Sequence, residues 1–184
     1  GDAVCSRRMY LEATQAIIDQ AVAWVDEKGI IVDPVEGHDD RWQGGTAARF
    51  VCPAAILIAE MGRTDLVPVV VRCFDQLADG ILKRAGDSAG FPPGVLDLTV
   101  KETVLAWKVM TGHSDPKQHR HWGAALSALR ASAVFVVEQR IRSGQSLHNY
   151  GISAAVGEWL RCRFDLAGDR NWLDRVLEWE MPLF

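Results

Sequence analysis

Residues 46–66 read TAARFVCPAAILIAEMGRTDL, and this stretch decides the fold class. After Arg49 the next ten residues carry no charge, and a helix that is apolar on every face is typical of a buried one. Pro53 lies inside this run, which predicts either a bend or a helix that begins just before it. Gly62 then ends the helix, and a short polar turn leads into a more charged helix.

The same pattern occurs three times along the chain, with the glycines about fifty residues apart. Short turns at one end and longer connectors at the other predict two layers of helices, one buried and one half exposed. Open superhelices of helix pairs usually have shorter periods, so we expect an all-α fold of helical hairpins forming part of an (α/α) toroid, with the open superhelix as the alternative. The three turns are Gly62-Arg63-Thr64-Asp65, Gly112-His113-Ser114-Asp115 and Gly168-Asp169-Arg170-Asn171.

Local signals predict where the helices begin, end and become buried. Small polar residues typically cap the start of a helix, and glycine typically ends one. A run of apolar residues three or four apart predicts the face that packs on the core. The predicted caps are Thr64, Thr99 with Glu102 as a capping box, and Asp115 before Pro116. The predicted ends are Gly29, Gly62, Gly112 and Gly168. The predicted buried face near residue 156 consists of Ile152, Ala155, Val156, Trp159, Leu160 and Phe164.

Composition bounds the class of protein. The 184 residues are 48% hydrophobic and 24% charged with a net charge of −4, which suits one globular unit and argues against a large basic surface for nucleic acid. No apolar run reaches the roughly 18 residues of a membrane-spanning helix. We therefore expect residues 1–184 to form a single toroid domain, part of a longer chain, with no nucleic acid and no membrane partner.

Three long connectors are expected to meet at one end of the helices, where binding residues often lie. In the first, Trp42 suits stacking on a sugar ring, while Arg41, or Arg49 at the next helix start, suits a carboxylate. The second connector offers Asp97. The histidines His113, His119 and His121 lack metal-ligand spacing, so we expect them to be exposed and predict no metal site and no cofactor.

The third connector ends in His148-Asn149-Tyr150, whose side chains suit β-elimination from a uronic acid. An amide can neutralise the substrate carboxylate, while His148 or Tyr150 can act as base and acid. The start of a helix also favours an anion. The simpler alternative is that Asn149 only caps the helix.

A family resemblance supports the same chemistry. The stretches His148-Asn149-Tyr150-Gly151, Gly157-Glu158-Trp159-Leu160-Arg161, Gly168-Asp169 and residues 177–184, with Gly29–Pro34 and Thr46–Arg49, resemble the toroid domain of polysaccharide lyases and heparinase II/III-like proteins. The resemblance implies Asn149 as the neutraliser of the uronate. It also implies a secreted or periplasmic protein, an acidic polysaccharide as substrate, and β-rich partner domains, missing here, that can carry a divalent metal.

Two other functions fit the same composition. An α/α glycoside hydrolase would use a pair of carboxylates, for which Asp39 or Asp40 with Asp97 are the candidates. A helical scaffold without catalysis would instead expose a long apolar groove for another protein. The reaction product separates the two enzymes, because a lyase leaves a double bond and a hydrolase adds water.

Overall fold

The computed structural model describes residues 6–32, 34, 44–85, 99–129, 142–143 and 148–180, and its regular structure there is helical. In these residues an isolated bridge between Val25 and Ile31 is the sole β-type pairing. None of the helices in these ranges is both long and apolar enough to cross a membrane. The α-helices are α1 (Arg7–Ala21), α2 (Gly44–Met61), α3 (Val67–Ala85), α4 (Val100–Val109), α5 (Pro116–Ala128), α6 (His148–Arg163) and α7 (Arg170–Glu180).

The helices pack in two rows. In one row α4 lies between α2 and α6, and in the other α3 packs on α5. Each short turn joins a helix of the first row to its partner, as in α2–α3 and α6–α7, while α1 packs on α2. This is the alternation that the repeated glycine turns predicted, and the all-α class is confirmed.

Helices α4 and α6 run in the same direction. Val100 at the start of α4 lies against Gly157, and Lys108 near its end lies 5.7 Å from the ring of Phe164. Val100 therefore faces a residue nine positions after the start of α6, which at 1.5 Å per residue is about 13 Å. The first turn of α6 consequently extends well past the first turn of α4.

The core of the second row is an aromatic stack. The rings of Phe74 on α3 and Trp122 on α5 lie 4.4 Å apart at 18°, and both side chains are fully buried. The indole N–H of Trp122 donates to Asp75 at 2.6 Å, which satisfies a polar group that burial would otherwise leave without a partner. Helix α5 is continuous from Pro116 to Ala128, and Trp122 lies in its middle.

Helix α2 confirms the buried, apolar character predicted for it. It is continuous from Gly44 to Met61 with Pro53 inside it, so the predicted start beside the proline is wrong. Proline has no N–H, so the Arg49 carbonyl, four residues earlier, lacks its usual helical donor. The helix tolerates this because its burial against α1, α3 and α4 stabilises it.

The first helix is shorter than the periodicity predicted. It ends at Ala21, and Val22–Trp24 forms a 3₁₀ turn. Gly29 then belongs to a tight turn with φ of +80°, inside the segment that pairs Val25 with Ile31. A Cβ atom at this glycine would lie 2.3 Å from the carbonyl oxygen of Arg72, so its role is close packing against α3.

One of the three predicted caps is wrong, and a second is confirmed in position but lacks the side-chain bond. Thr64 lies within a 3₁₀ turn, Thr64–Leu66, and does not cap α3. The preceding residue, Arg63, holds this turn by donating to Asp65 and to Asp19 on α1 at 2.8 Å each. Thr99 makes no side-chain cap bond to α4. The third prediction is confirmed, because Asp115 accepts the backbone N–H of Lys117 at 2.8 Å ahead of Pro116.

The end of α6 also differs from prediction. Gly62 and Gly112 adopt positive φ after their helices, as expected, but α6 ends at Arg163 and not at Gly168. Asp165 takes the left-handed position, and the N–H of Leu166 donates to the Arg161 carbonyl at 2.9 Å, which closes a Schellman-type end.

The buried face of α6 was predicted only in part, because Leu160 is buried and Phe164 packs against the core, but three other predicted residues are exposed. Ile152, Val156 and Trp159 are 52%, 40% and 48% exposed, whereas Glu158 and Arg161 are buried. Glu158 and Arg161 occupy the packed side because they pair with each other there.

Candidate functional site

Most of the predicted site residues lie outside the described residues. These are Arg41, Trp42 and Asp97, together with Asp39 and Asp40 of the hydrolase alternative. His148, Asn149 and Tyr150 form the first turn of α6, but their side chains are not among those described. Arg49 is described in full, and the local geometry of the candidate site begins with it.

Arg49 borders a cavity of about 300 Å³ between α1, the Val22–Trp24 turn and the first half of α2. Its side chain is exposed, and no described residue forms an ion pair or hydrogen bond with its guanidinium. We name this space the Arg49 cavity; its lining residues are Thr14, Ile17, Ile18, Ala21, Trp24, Ile31, Thr46, Arg49, Phe50 and Pro53.

The walls of the Arg49 cavity are mainly apolar. Ile18, Ile31 and Phe50 are buried at its base, whereas Ile17 and Trp24 are 67% and 39% exposed at its rim. Polar residues are few, namely Thr14, Thr46 and Arg49. Small-molecule sites commonly combine apolar walls with a small number of polar groups in this way.

Trp24 lines the Arg49 cavity but was not among the candidate site residues predicted from the sequence. It belongs to the 3₁₀ turn, and its carbonyl accepts the N–H of Val32 at 2.8 Å. The Gly29 turn folds the chain back so that Ile31 and Trp24 line the same cavity. The sequence signal for Trp24 was an aromatic residue shortly before a glycine turn. Arg49, which lines the same cavity, is 25 positions away in the sequence and gave no indication of it.

A second cavity, of about 600 Å³, lies where the end of α5, the end of α6 and the start of α7 meet. At its base Arg161 donates to Glu158 at 2.7 Å and to the carbonyls of Leu126, Ser127 and Ala167 at 3.1 to 3.2 Å. Glu158 also accepts the backbone N–H of Asp169. Every one of these bonds joins parts of the protein to each other, so the pair serves to hold α5, α6 and α7 together.

The residues after Glu158 complete that network. Asp169 caps α7 by accepting the N–H of Trp172 at 2.9 Å. A Cβ atom at Gly168 would lie 2.5 Å from the backbone nitrogen of Cys162, so this position requires glycine for close approach. Glu158, Arg161, Gly168 and Asp169, on which the family resemblance partly rests, therefore have structural roles in the fold.

A third cluster joins the helices of the first row. Lys101 on α4 pairs with Glu102 at 2.8 Å and approaches the hydroxyl of Ser153 on α6 at 3.4 Å. The second oxygen of Glu102 is buried and has no hydrogen-bond partner among the described residues. Burial, reinforced by this carboxylate, raises the pKa of Cys52 on α2 to about 11, so the thiol stays protonated at neutral pH.

The histidines have structural surroundings. His113 is exposed as predicted, but His119 and His121 are half buried. His119 stacks on Trp107 at 4.7 Å, and burial together with Lys108 lowers its pKa, while His121 lies 2.8 Å from Asp79. Within the described ranges no group of three or more His, Cys, Asp or Glu side chains is arranged to hold a metal ion.

The chain matches no known protein-family model, no curated protein and no solved structure. The assignment of a function therefore depends on the residues and geometry described above.

Proposed function

We propose that the chain is part of an α/α toroid that binds a uronate-containing polysaccharide and cleaves it by β-elimination. The observation that carries this proposal is the row α2–α4–α6, in which α4 and α6 are parallel and α6 begins with His148-Asn149-Tyr150. The first turn of α6 extends about 13 Å past the start of α4, and the proposal assigns the substrate to that end of the helices.

The proposed reaction needs three groups around one sugar unit. The amide of Asn149 neutralises the uronate carboxylate, which makes the C5 proton acidic. His148 or Tyr150 removes that proton, the C4–O4 bond breaks, and a C4–C5 double bond forms. The other residue protonates the leaving oxygen, so water is not consumed. The first free N–H groups of α6 add a favourable potential for the anionic substrate.

Arg49 is separated from this turn by one whole helix. Neighbouring packed helices lie about 8–10 Å apart, so the axes of α2 and α6 are about 16–20 Å from each other, with α4 between them. Arg49 is therefore too far from Asn149 to bind the same sugar unit. The proposal assigns the reacting uronate to Asn149, and it carries with it the expected secreted or periplasmic location.

The experiment is an elimination assay on a panel of uronate polysaccharides, in which the unsaturated product is followed by its ultraviolet absorbance. We expect activity on at least one polymer and a loss of about 10²–10³-fold in kcat for Asn149→Ala, the size typical of removing one such donor. The matched control is Asn171→Ala, because Asn171 is an exposed asparagine in the first turn of α7.

Three results would contradict the proposal. Cleavage products without a double bond would replace elimination by hydrolysis. Equal activity of Asn149→Ala and Asn171→Ala would remove Asn149 from the reaction. A complete absence of cleavage across the panel would reject the lyase for this chain.

A further inference from the structure

The Arg49 cavity has the wrong lining for a sugar and a better one for another kind of ligand. A sugar ring carries a hydroxyl on most of its carbons, and each needs a hydrogen-bond partner when it is buried. The cavity instead presents apolar side chains from α1, the segment after the Gly29 turn and α2, including Ile18, Ile31 and Phe50. Its occupant must therefore be largely apolar.

The polar groups at the cavity specify the remainder of the ligand. Arg49 provides a guanidinium that no described residue pairs with, at the border of an apolar space. A carboxylate complements it in charge and in its two-pronged geometry. The hydroxyls of Thr14 and Thr46 add neutral partners on the two facing helices.

Volume limits the size of the occupant. The cavity holds about 300 Å³, at the lower end of the range of small-molecule sites. Since a water molecule occupies about 30 Å³ in the liquid, this corresponds to on the order of ten non-hydrogen atoms. A medium-chain fatty acid and a small aromatic acid both have this size.

We propose that the Arg49 cavity binds a small monocarboxylate with an apolar body, whose carboxylate pairs with Arg49 while its apolar part lies between α1 and α2. The site is independent of the proposed elimination, because it uses no residue of α6. Trp24, at the rim, covers the apolar part of the bound ligand.

The test uses isothermal titration calorimetry of the full chain with octanoate, below the concentration at which it aggregates. We expect saturable binding at one site per chain, weaker binding of 1-octanol, and a loss of affinity of about tenfold or more for octanoate in Arg49→Gln. Titration with 3-phenylpropanoate distinguishes a straight-chain from an aromatic preference.

Two further variants separate the site from general effects. Arg72→Gln removes an exposed arginine on α3 that lies away from the cavity, and it should bind octanoate like the wild type. Ala21→Leu fills the cavity and should abolish binding while thermal unfolding shows that the protein stays folded. The proposal is overturned by a lack of saturable binding, which would mean that the chain itself occupies the cavity, or by equal affinity in Arg49→Gln and wild type.

Discussion

Two arginines on the same row of helices, Arg161 on α6 and Arg49 on α2, have opposite surroundings. Arg161 is 3% exposed, and it bonds to one carboxylate and three backbone carbonyls. Arg49 is exposed beside an apolar cavity and has no partner among the described residues. A buried charge must be satisfied within the fold, whereas an exposed one at a cavity is available to a ligand. The comparison separates an arginine that stabilises the fold from one that can bind a ligand.

The largest expected effect is on stability at Arg161. Arg161→Ala leaves Glu158 buried without its counter-charge and three carbonyls without a donor, so the free energy of unfolding should fall by about 3–5 kcal/mol. Arg49→Ala should change it by less than about 0.5 kcal/mol, as is usual for an exposed side chain. Urea unfolding followed by circular dichroism measures both variants, and similar losses in the two would refute the distinction.

A smaller effect is expected at the turn that shapes the Arg49 cavity. Gly29→Ala requires a positive φ for alanine and a Cβ atom 2.3 Å from the Arg72 carbonyl oxygen, so we expect a loss of about 2–4 kcal/mol. Gly62→Ala is the control, because Gly62 also has a positive φ but a Cβ there meets nothing within 4 Å. It should lose only about 1–2 kcal/mol. Equal losses measured by thermal unfolding would mean that close packing against α3 does not constrain this turn.

The smallest effect concerns His119, which is half buried, whereas Arg161 is buried and Arg49 is exposed. Burial and Lys108 lower its pKa in the folded state, so the unfolded state, with a pKa of about 6.5, binds protons more readily. Its contribution to stability is therefore present above about pH 6.5 and is lost as the pH falls towards the folded pKa. Unfolding between pH 8 and 5 should show a shallower pH dependence for His119→Gln, and an unchanged slope would contradict this assignment.

Several features of the fold could be predicted because they depend on neighbouring residues. The helical spacing, the cap at Asp115 before Pro116, and the positive φ of Gly62 and Gly112 are local properties of the chain. The predicted cap at Thr64 failed because Arg63 reaches Asp19, which is 44 positions away. The same holds for the candidate site, since Arg49 was a candidate by residue type, while Trp24 became part of its cavity through the Gly29 turn.

The packed face of α6 is the clearest feature that the sequence could not predict in full. Spacing of apolar residues predicted a packed side that includes Leu160, which is buried, but also Ile152, Val156 and Trp159, which are exposed. It left Glu158 and Arg161 outside that side, because an isolated charge is costly to bury. In the fold that cost is offset, since Glu158 and Arg161 pair and the carbonyls of α5 accept the remaining donors. Such partners come from residues that only the packed chain brings near.

The sequence by itself determined that the chain is helical and that glycine turns divide it into hairpins, because helix formation and chain reversal depend on backbone and side-chain preferences within a few residues. Only the tertiary structure decided which charges are buried and paired and which exposed charge borders an apolar cavity. Burial and pairing arise from contacts between distant helices, and the free energy of a charged group depends on those contacts more than on its place in the sequence.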